Sequence, residues 1–331
     1  MSLKIFFQFS IFAMIILMVM AYSVAGISIP THPDWMERMS HDIGQLSLNQ
    51  VVMPGTHDSG TYGINESSPI CTADITKWAK LGAPVVARFA RTQRVDYGRQ
   101  LYAGIRYLDI RLCKQGRNIY TSHGMVSYPI FEQLELIRAF VLAYPKEIII
   151  LHFQHTYGFS EKDKSDIQNM VKHLFSRQLA DRNDFSPTSV VNDFWSADKN
   201  VIAIFHERYW GDISNKESIF WSNNSTITNP WPNQIEVANA MNELDKNLEE
   251  RDMLKLFVLQ AVLTPPEDNK TWWAKNFTSS NENIALQMNT AIISKFKNHG
   301  WKNEKLNIVM YDFADNEELI TSIIHQNSLS K

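Results

Sequence analysis

The stretch Glu147-Ile-Ile-Ile-Leu-His-Phe153 is a nearly continuous apolar run that is rich in β-branched residues. Such a run predicts a strand that is buried on both faces, as in a parallel sheet covered by helices. Further strand candidates occur on both sides of it, at residues 50–53, 106–112, 119–122, 200–205, 255–259 and 306–311. The chain therefore holds seven or eight predicted strands.

Helical patterns lie between these strands, at residues 130–143, 161–177, 233–250, 283–298 and 316–324. Buried strands that alternate with helices are typical of an α/β protein. Because no linker divides the chain, we predict one TIM-type (β/α)8 barrel, closed or incompletely closed, rather than an open sheet. This single catalytic domain would cover residues 26–331, with residues 215–233 as a polar excursion on the rim.

The N-terminus has the pattern of a secretory signal peptide. Residues 1–4 carry one positive charge, residues 5–22 are almost wholly apolar, and Ser23-Val24-Ala25 are small residues that suit cleavage. We predict a signal peptide over residues 1–25, cleaved near Ala25, and a secreted protein. The alternative is an uncleaved membrane anchor through residues 5–22.

Other features of the chain agree with export. In an oxidising compartment the two cysteines, Cys71 and Cys113, predict one disulfide, with two buried free thiols as the alternative. Five sequons predict glycosylation, at Asn65, Asn223, Asn224, Asn269 and Asn276.

The composition describes an ordinary globular protein with no strong electrostatic partner. Of the 331 residues, 44% are hydrophobic and 20% are charged, and the formal net charge is −3. Such a small negative charge disfavours nucleic-acid binding. We also expect a monomer.

Reactive polar groups follow the predicted strands. His57 and Asp58 follow the first strand, and Asp109 and Arg111 end the second. The remaining strand-end groups are His123, Glu207, Arg208 and Asp312. In a barrel, chemistry takes place at the carboxyl ends of the strands, so we expect these groups to converge. Two histidines with an arginine suit acid/base attack on a phosphodiester without a metal.

Three motifs give the chain a resemblance to a known family. The motif Pro-Gly-Thr-His-Asp-Ser-Gly at 54–60, the Asp109-Ile-Arg111 segment and the His123-Gly124 pair resemble the phosphatidylinositol-specific phospholipase C X-domain family. The resemblance covers residues 46–312. It implies a TIM-type barrel and a phospholipase C type of phosphodiesterase that cleaves a phospholipid at a membrane surface.

The resemblance also implies roles for individual residues. His57 would be the general base and His123 the general acid, while Arg111 stabilises the charge on the phosphate oxygens. Asp58 would lie beside Arg111 and His123. A carboxylate that orients His57 is expected at Asp312, with Asp315 as the competing candidate.

Two further residues are expected to bind substrate. Asp109 would position Arg111, although the two could instead form a purely structural ion pair because they share one strand face. Arg208 matches an arginine of the bacterial enzymes of this family that contacts the inositol ring. We interpret His152 and His155 as rim residues. Trp272-Trp273 would either dip into a membrane or be buried in a rim loop.

The resemblance also bears on metals and on the substrate. Calcium-binding relatives have a carboxylate at the position of Arg111, and a later calcium glutamate aligns near Phe153, which cannot bind a hard cation. We therefore expect neither a metal nor a cofactor. The inositol pocket is altered, because Gln154 or His155 replaces a lysine and residues 259–263 lack the usual aspartate and tyrosine.

These observations favour phosphatidylinositol as the substrate, or a related phosphodiester such as a glycosylated inositol lipid. They leave two alternatives: a catalytically altered relative that acts on another phosphodiester or binds lipid or glycolipid, and a different, metal-dependent phosphodiesterase on the same barrel. The second would need several carboxylates at strand ends, and Glu207 alone does not provide them.

Overall fold

The computed structural model describes residues 31–74, 82–213, 218–266, 268–301 and 303–328. The predicted signal peptide lies outside the described residues and stays a prediction. Within the described ranges, no helix combines the length and the apolar character that crossing a membrane requires.

Eight parallel strands form a nearly closed barrel. Within the described ranges the sheet has ten strands: β1 Met53–Thr56, β2 Tyr107–Gln115, β3 Asn118–His123, β4 Met125–Pro129, β5 Ile149–Tyr157, β6 Val201–Phe205, β7 Trp221–Ser222, β8 Ile227–Thr228, β9 Leu256–Gln260 and β10 Ile308–Tyr311. The barrel order is β7-β6-β5-β2-β1-β10-β9-β8. The path ends at two strands of only two residues each, β7 and β8. The predicted TIM-type barrel with incomplete closure is confirmed.

Long helices occur where the sequence predicted them. Four lie between strands, Ile130–Ala143, Glu161–Leu174, Val237–Glu249 and Asn281–Lys297, and Glu317–His325 follows the last strand. Side-chain caps explain where several of them begin. Ser160, for example, accepts a hydrogen bond from the backbone N–H of Asp163, whose carboxylate in turn accepts from the N–H of Ser160. Such a capping box satisfies backbone N–H groups that have no partner inside the helix.

Several shorter helices were not predicted from the sequence: Trp35–Arg38, Ser40–Ile43, Ala83–Ala90, Tyr97–Ala103, Val191–Ser196, Glu207–Trp210, Asn223–Thr226 and Lys270–Lys275. The helix Ala83–Ala90 matters for the site, because it ends beside the barrel mouth. It begins with proline in its first turn, which suits a helix start since proline has no N–H to satisfy.

The prediction of a barrel strand at residues 119–122 was wrong. Strand β2 has nine residues, and its second half extends beyond the barrel. β3 pairs antiparallel with this extension, from Leu112↔Thr121 to Gln115↔Asn118, and β4 pairs antiparallel with β3. His123 therefore reaches the barrel mouth on a hairpin that folds back, and not at the end of a barrel strand.

Two other predictions also need correction. The first strand lies at 53–56 rather than 50–53, because a capping box between Ser47 and Gln50 turns residues 48–50 into a short 3-10 helix. The excursion at 215–233 is not confined to the rim. It supplies β7 and β8, the two strands at the ends of the nearly closed barrel.

A buried ion pair closes the amino-terminal end of the barrel. Arg106 is fully buried, and its Nε lies 2.9 Å from Oε2 of Glu147. The same guanidinium donates to the carbonyls of Leu101 and Pro33. Glu147 also accepts from the backbone N–H of Glu37 at 2.9 Å. The pair therefore joins the first described helix to the barrel.

The predicted disulfide between Cys71 and Cys113 is confirmed. The two Cα atoms are 6.2 Å apart and the sulfurs are bonded. Cys113 belongs to the β2 extension, so the bond ties the loop that precedes residue 75 to the hairpin. Both residues are fully buried.

Candidate active site

His57 lies at the carboxyl end of β1, with Asp312 against its ring. The backbone N–H of His57 donates to the carbonyl of Tyr311 at the end of β10, which fixes the position of the residue. Nδ1 of His57 is 2.9 Å from Oδ1 of Asp312. Asp312 is buried, and its Oδ2 accepts from Asn281 at 2.8 Å. The competing candidate, Asp315, instead pairs with Arg94 at 2.6 Å.

Asp58 bridges the arginine and both histidines. Its φ of 42° lies in the left-handed region, which a non-glycine residue seldom adopts without a functional or packing reason. Oδ1 of Asp58 is 2.5 Å from Nε of Arg111. Oδ2 is 3.2 Å from Nε2 of His57 and 3.2 Å from Nδ1 of His123. One buried carboxylate thus contacts three candidate catalytic side chains.

Arg111 also contacts Asp109 and His57. Nη2 of Arg111 is 3.2 Å from Oδ2 of Asp109 and 3.2 Å from Nε2 of His57. Asp109 additionally accepts from the backbone N–H of Asp58 at 3.1 Å. Asp109 therefore holds both the guanidinium and the turn that carries Asp58. This position agrees with the interpretation that Asp109 positions Arg111, and that role stays a prediction.

The charges of this cluster shift one another's ionisation. Burial alone would lower the pKa of His57, but the attraction of Asp58 and Asp312 outweighs it and raises that pKa above its usual 6.5. Burial would likewise lower the pKa of Arg111, yet Asp109 and Asp58 raise it. Burial would raise the pKa of Asp109, whereas Arg111 and His57 bring it below its ordinary value. The cluster therefore stabilises a cationic arginine between anionic carboxylates.

His123 faces His57 across the barrel mouth. The two ring centroids are 6.0 Å apart and the rings meet edge to face. Nδ1 of His123 donates to the carbonyl of Ala90 at 3.0 Å, and Ala90 is the last residue of the helix Ala83–Ala90. Together with Asp58, this contact engages Nδ1 of His123.

His57, Asp58 and Asp109 are the described residues that could hold a metal ion. They offer one ligand atom each, and these atoms lie within 4.8 Å of one another. Each of the three side chains also contacts the guanidinium of Arg111. A cation at this point would meet a fixed positive charge at close range, which is electrostatically unfavourable.

His152 is not the rim residue that the sequence indicated. It is fully buried in the barrel, with Nδ1 2.7 Å from the hydroxyl of Tyr107 and Nε2 2.9 Å from Oδ1 of Asn223. Burial lowers its pKa to about 4. His155 pairs with Arg111 across β5 and β2, and burial lowers its pKa to about 3. Both imidazoles are therefore neutral near neutral pH.

Neutral amides lie next to His152. Gln154 and Gln260 are almost fully buried, and they are linked through Asn229, which donates to Gln154 and accepts from Gln260. Trp231 lies nearby, with its ring centroid 5.3 Å from that of His57 and 40% of its surface exposed. The motifs did not identify Trp231 or Asn229, because both lie in a segment without periodicity. The tryptophans of that segment were the only signal.

Arg208 lies apart from the histidine cluster. It is exposed on the short helix Glu207–Trp210, and its guanidinium stacks over Tyr209 at 5.6 Å. Tyr209 in turn packs against His155, with centroids 4.3 Å apart. Glu207 bonds to Ser222 and to the backbone of Asn224. The strand-end position of Arg208 is as predicted, but no described contact joins it to the catalytic cluster.

The remaining predictions concern the surface. Asn65, Asn224 and Asn269 are exposed and Asn276 is half-buried. Asn223 is buried against His152, so a glycan at this sequon does not fit the folded chain. Trp273 is buried and packs on Phe89, while Trp272 is half-buried. For Trp272-Trp273, burial in a rim loop is therefore the better interpretation.

Comparison with known proteins agrees with the motifs. Residues 85–202 match the family model "Phosphatidylinositol-specific phospholipase C, X domain". The mouse "PI-PLC X domain-containing protein 3" is 25% identical over 307 residues, which covers 89% of this chain and 93% of the relative. The human "PI-PLC X domain-containing protein 2" is 28% identical over 242 residues, covering 70% and 77%.

Solved structures show the same fold. The phosphatidylinositol-specific phospholipase C from Listeria monocytogenes superposes with a TM-score of 0.66 at 21% identity, covering 89% of this chain and 98% of that one. A mutant of the Staphylococcus aureus phosphatidylinositol-specific phospholipase C gives a TM-score of 0.61 at 18% identity, covering 88% and 97%. The motifs at the barrel mouth and the match over residues 85–202 make the chain similar to members of the phosphatidylinositol-specific phospholipase C X-domain family.

Proposed function

We propose that this protein is a phosphoric diester hydrolase or lyase of the phospholipase C type. It would cleave phosphatidylinositol, or a related inositol phospholipid, into diacylglycerol and a cyclic inositol phosphate. The observation that carries the proposal is the carboxylate of Asp58, which contacts Arg111, His57 and His123 at once. A protein that only binds lipid has no need for two histidines and an arginine in one buried network.

The first step uses His57 as a general base. The hydrogen bond to Asp312 favours the tautomer with the proton on Nδ1, and Nε2 then accepts from Arg111 through its lone pair. When substrate binds, this lone pair takes the proton of the hydroxyl adjacent to the phosphate. The hydroxyl oxygen then bonds to phosphorus and closes the cyclic phosphodiester. Asp312 stabilises the imidazolium that forms.

The second half of the reaction uses His123 as a general acid. As the bond between phosphorus and the glycerol oxygen breaks, Nε2 of His123 gives its proton to that oxygen. The products are then neutral diacylglycerol and the cyclic ester. An imidazole suits both transfers because its ordinary pKa lies close to neutral pH.

Arg111 would take the place of a metal ion. A preorganised cation at the non-bridging oxygens stabilises the charge that develops in the transition state. The guanidinium is held on its other side by Asp58 and Asp109, so its direction is fixed before substrate arrives. We therefore propose activity that is independent of calcium, with no cofactor.

The neutral surroundings of Gln154, Gln260 and Asn229 favour a head group that is rich in hydroxyls. Amides donate to and accept from hydroxyls, and the buried histidines beside them stay uncharged near neutral pH. We propose that phosphatidylinositol or a glycosylated inositol lipid fits this environment. We also propose that the protein is secreted, which the Cys71–Cys113 disulfide supports.

The test is the incubation of purified protein with phosphatidylinositol vesicles in excess chelator, followed by phosphorus NMR. We expect the resonance of a cyclic phosphodiester to grow with wild type and to stay at background with His57→Ala. Vesicles of phosphatidylcholine serve as the substrate control and should give no product. Equal behaviour of wild type and His57→Ala on all vesicles would show that the protein is not this enzyme. Binding to inositol lipid vesicles without turnover would instead support the lipid-binding alternative.

A further inference from the structure

Asp74 is a carboxylate that the motifs did not identify, and it contacts the turn next to His123. Its Oδ2 accepts from the backbone N–H of Gly124 at 2.9 Å. Gly124 follows His123 directly and has a φ of 66°, a conformation that favours glycine. The hydrogen bond from Asp74 therefore fixes the turn that sets the direction of the His123 side chain.

The disulfide holds Asp74 in this position. The backbone N–H of Asp74 donates to the carbonyl of Cys71, and the N–H of Cys71 donates to the carbonyl of Gly124, each at 2.9 Å. Cys71 is bonded to Cys113 on the β2 extension, the strand that also carries Arg111. The loop that carries Cys71 and Asp74 is thus joined to Gly124 by hydrogen bonds and to β2 by the disulfide.

The charge of Asp74 interacts with His123, Arg111 and Asp58. Burial raises the pKa of Asp74, while the N–H of Gly124, His123 and Arg111 oppose this shift. Asp58 and Tyr157 are the other titratable groups that interact with Asp74 among the described residues. The carboxylate of Asp74 therefore lies within electrostatic range of both His123 and Arg111.

We propose that Asp74 is a positioning residue for His123, and that the Cys71–Cys113 disulfide holds Asp74 against the His123-Gly124 turn. The inference rests on the proposed function, because it assigns His123 as the general acid. Asp74 touches neither the substrate nor the reacting atoms in this account. It acts by orienting the turn and by its negative charge.

Two substitutions separate these contributions. Asp74→Asn keeps an oxygen that can accept from Gly124 but removes the charge, whereas Asp74→Ala removes both. We expect kcat of Asp74→Ala to fall on the order of 100-fold with KM little changed, because a small misplacement of a catalytic group has an effect of this size. Asp74→Asn should lose about tenfold in kcat, because it keeps the acceptor for Gly124 and loses only the charge. Glu66→Gln, an exposed carboxylate of the same loop, is the matched control and should behave as wild type.

The role of the disulfide is tested by a double-mutant cycle. The pair Cys71→Ser and Cys113→Ser should lower kcat, and adding Asp74→Ala to it should lower kcat by less than the product of the two separate effects. Fully multiplicative losses, or wild-type kcat and pH profile in both Asp74 variants, would overturn the proposal.

A readout without turnover separates this inference from the proposed function. The amide proton of Gly124 should exchange with solvent faster in Asp74→Ala than in wild type and Glu66→Gln, as measured by NMR. An unchanged rate would contradict the proposed contact even if the enzyme is active. If wild type does not cleave phosphatidylinositol while Gly124 exchange responds as expected, the proposed function fails and only the structural contact stands.

Discussion

Arg106 and Arg111 lie close together in sequence, but they serve opposite ends of the barrel. Arg106 is fully buried at the amino-terminal end, where Glu147 and several backbone carbonyls accept its hydrogen bonds. Arg111 lies at the carboxyl end, between Asp58, Asp109 and His57, with 13% of its side chain exposed. Arg106 pairs with one carboxylate and backbone carbonyls, whereas Arg111 also contacts the imidazole of His57.

The difference shows that the partners of a charged side chain decide whether it contributes to stability or to the proposed reaction. The partners of Arg106 are satisfied in the folded chain, so its contribution is to stability. The partners of Arg111 include an imidazole whose protonation must change during the proposed reaction. A guanidinium that shares its hydrogen bonds with a general base can turn toward phosphate oxygens when substrate binds. The predictions below test this contrast.

The largest effect is expected for Arg106→Ala, in stability. Removing one partner of a buried ion pair leaves the other charge unpaired, which costs about 3–5 kcal/mol. We expect the free energy of unfolding, measured by urea titration, to fall by this amount. The activity of the molecules that remain folded should stay close to that of wild type. A stability loss below about 1 kcal/mol would contradict the structural role of Arg106.

A smaller effect is expected for Arg111→Ala, in activity. Loss of one charge-stabilising group at a developing anion lowers kcat by roughly 10²- to 10³-fold. The loss of stability should be smaller than for Arg106→Ala, because His57, whose pKa is raised, can carry a positive charge beside Asp58. Arg111→Lys is the matched variant and should recover only part of the activity, since an ammonium lacks the planar fork of donors. Wild-type kcat in Arg111→Ala would remove the arginine from the mechanism.

Asp312→Asn should give the next smaller change, visible mainly in the pH profile. Asp312 helps to raise the pKa of His57, so its neutralisation should move the acid limb of kcat/KM to lower pH. We expect a loss of kcat of about tenfold to 100-fold, because the asparagine no longer stabilises the imidazolium. The matched control is Asp315→Asn, which should leave both the limb and kcat unchanged.

Asp312→Asn should also change the stability of the protein. A raised pKa of His57 contributes stability that is fully present below pH 6.5 and is lost as pH rises through the raised value. Asp312→Asn should therefore be less stable than wild type at pH 5.5, and the difference should shrink at higher pH. Urea titrations at several pH values measure this trend, and a difference that grows with pH would contradict the assigned pairing.

The sequence predicted the parts of the site that depend on local chemistry. His57 and Asp58 follow a buried strand directly, and Asp109 and Arg111 share one face of the next strand, so their convergence follows from barrel geometry. The hairpin that carries His123 could not be distinguished from a barrel strand, because β-branched and aromatic residues favour strands of both kinds. Asn229 and Trp231 come from a segment without periodicity, whose path depends on tertiary contacts. His152 shows the same limit, since its burial depends on Tyr107 and Asn223.

The most direct test of the account is the dependence of each histidine variant on the leaving group. We would compare kcat/KM on an inositol phosphodiester with an alkyl leaving group and on one with a nitrophenolate. A good leaving group needs no proton, so His123→Ala should recover most of its activity on the nitrophenyl ester. His57→Ala should stay inactive on both, because the attacking hydroxyl still needs a base. Equal losses of both variants on both substrates would contradict the assignment of His57 as base and His123 as acid.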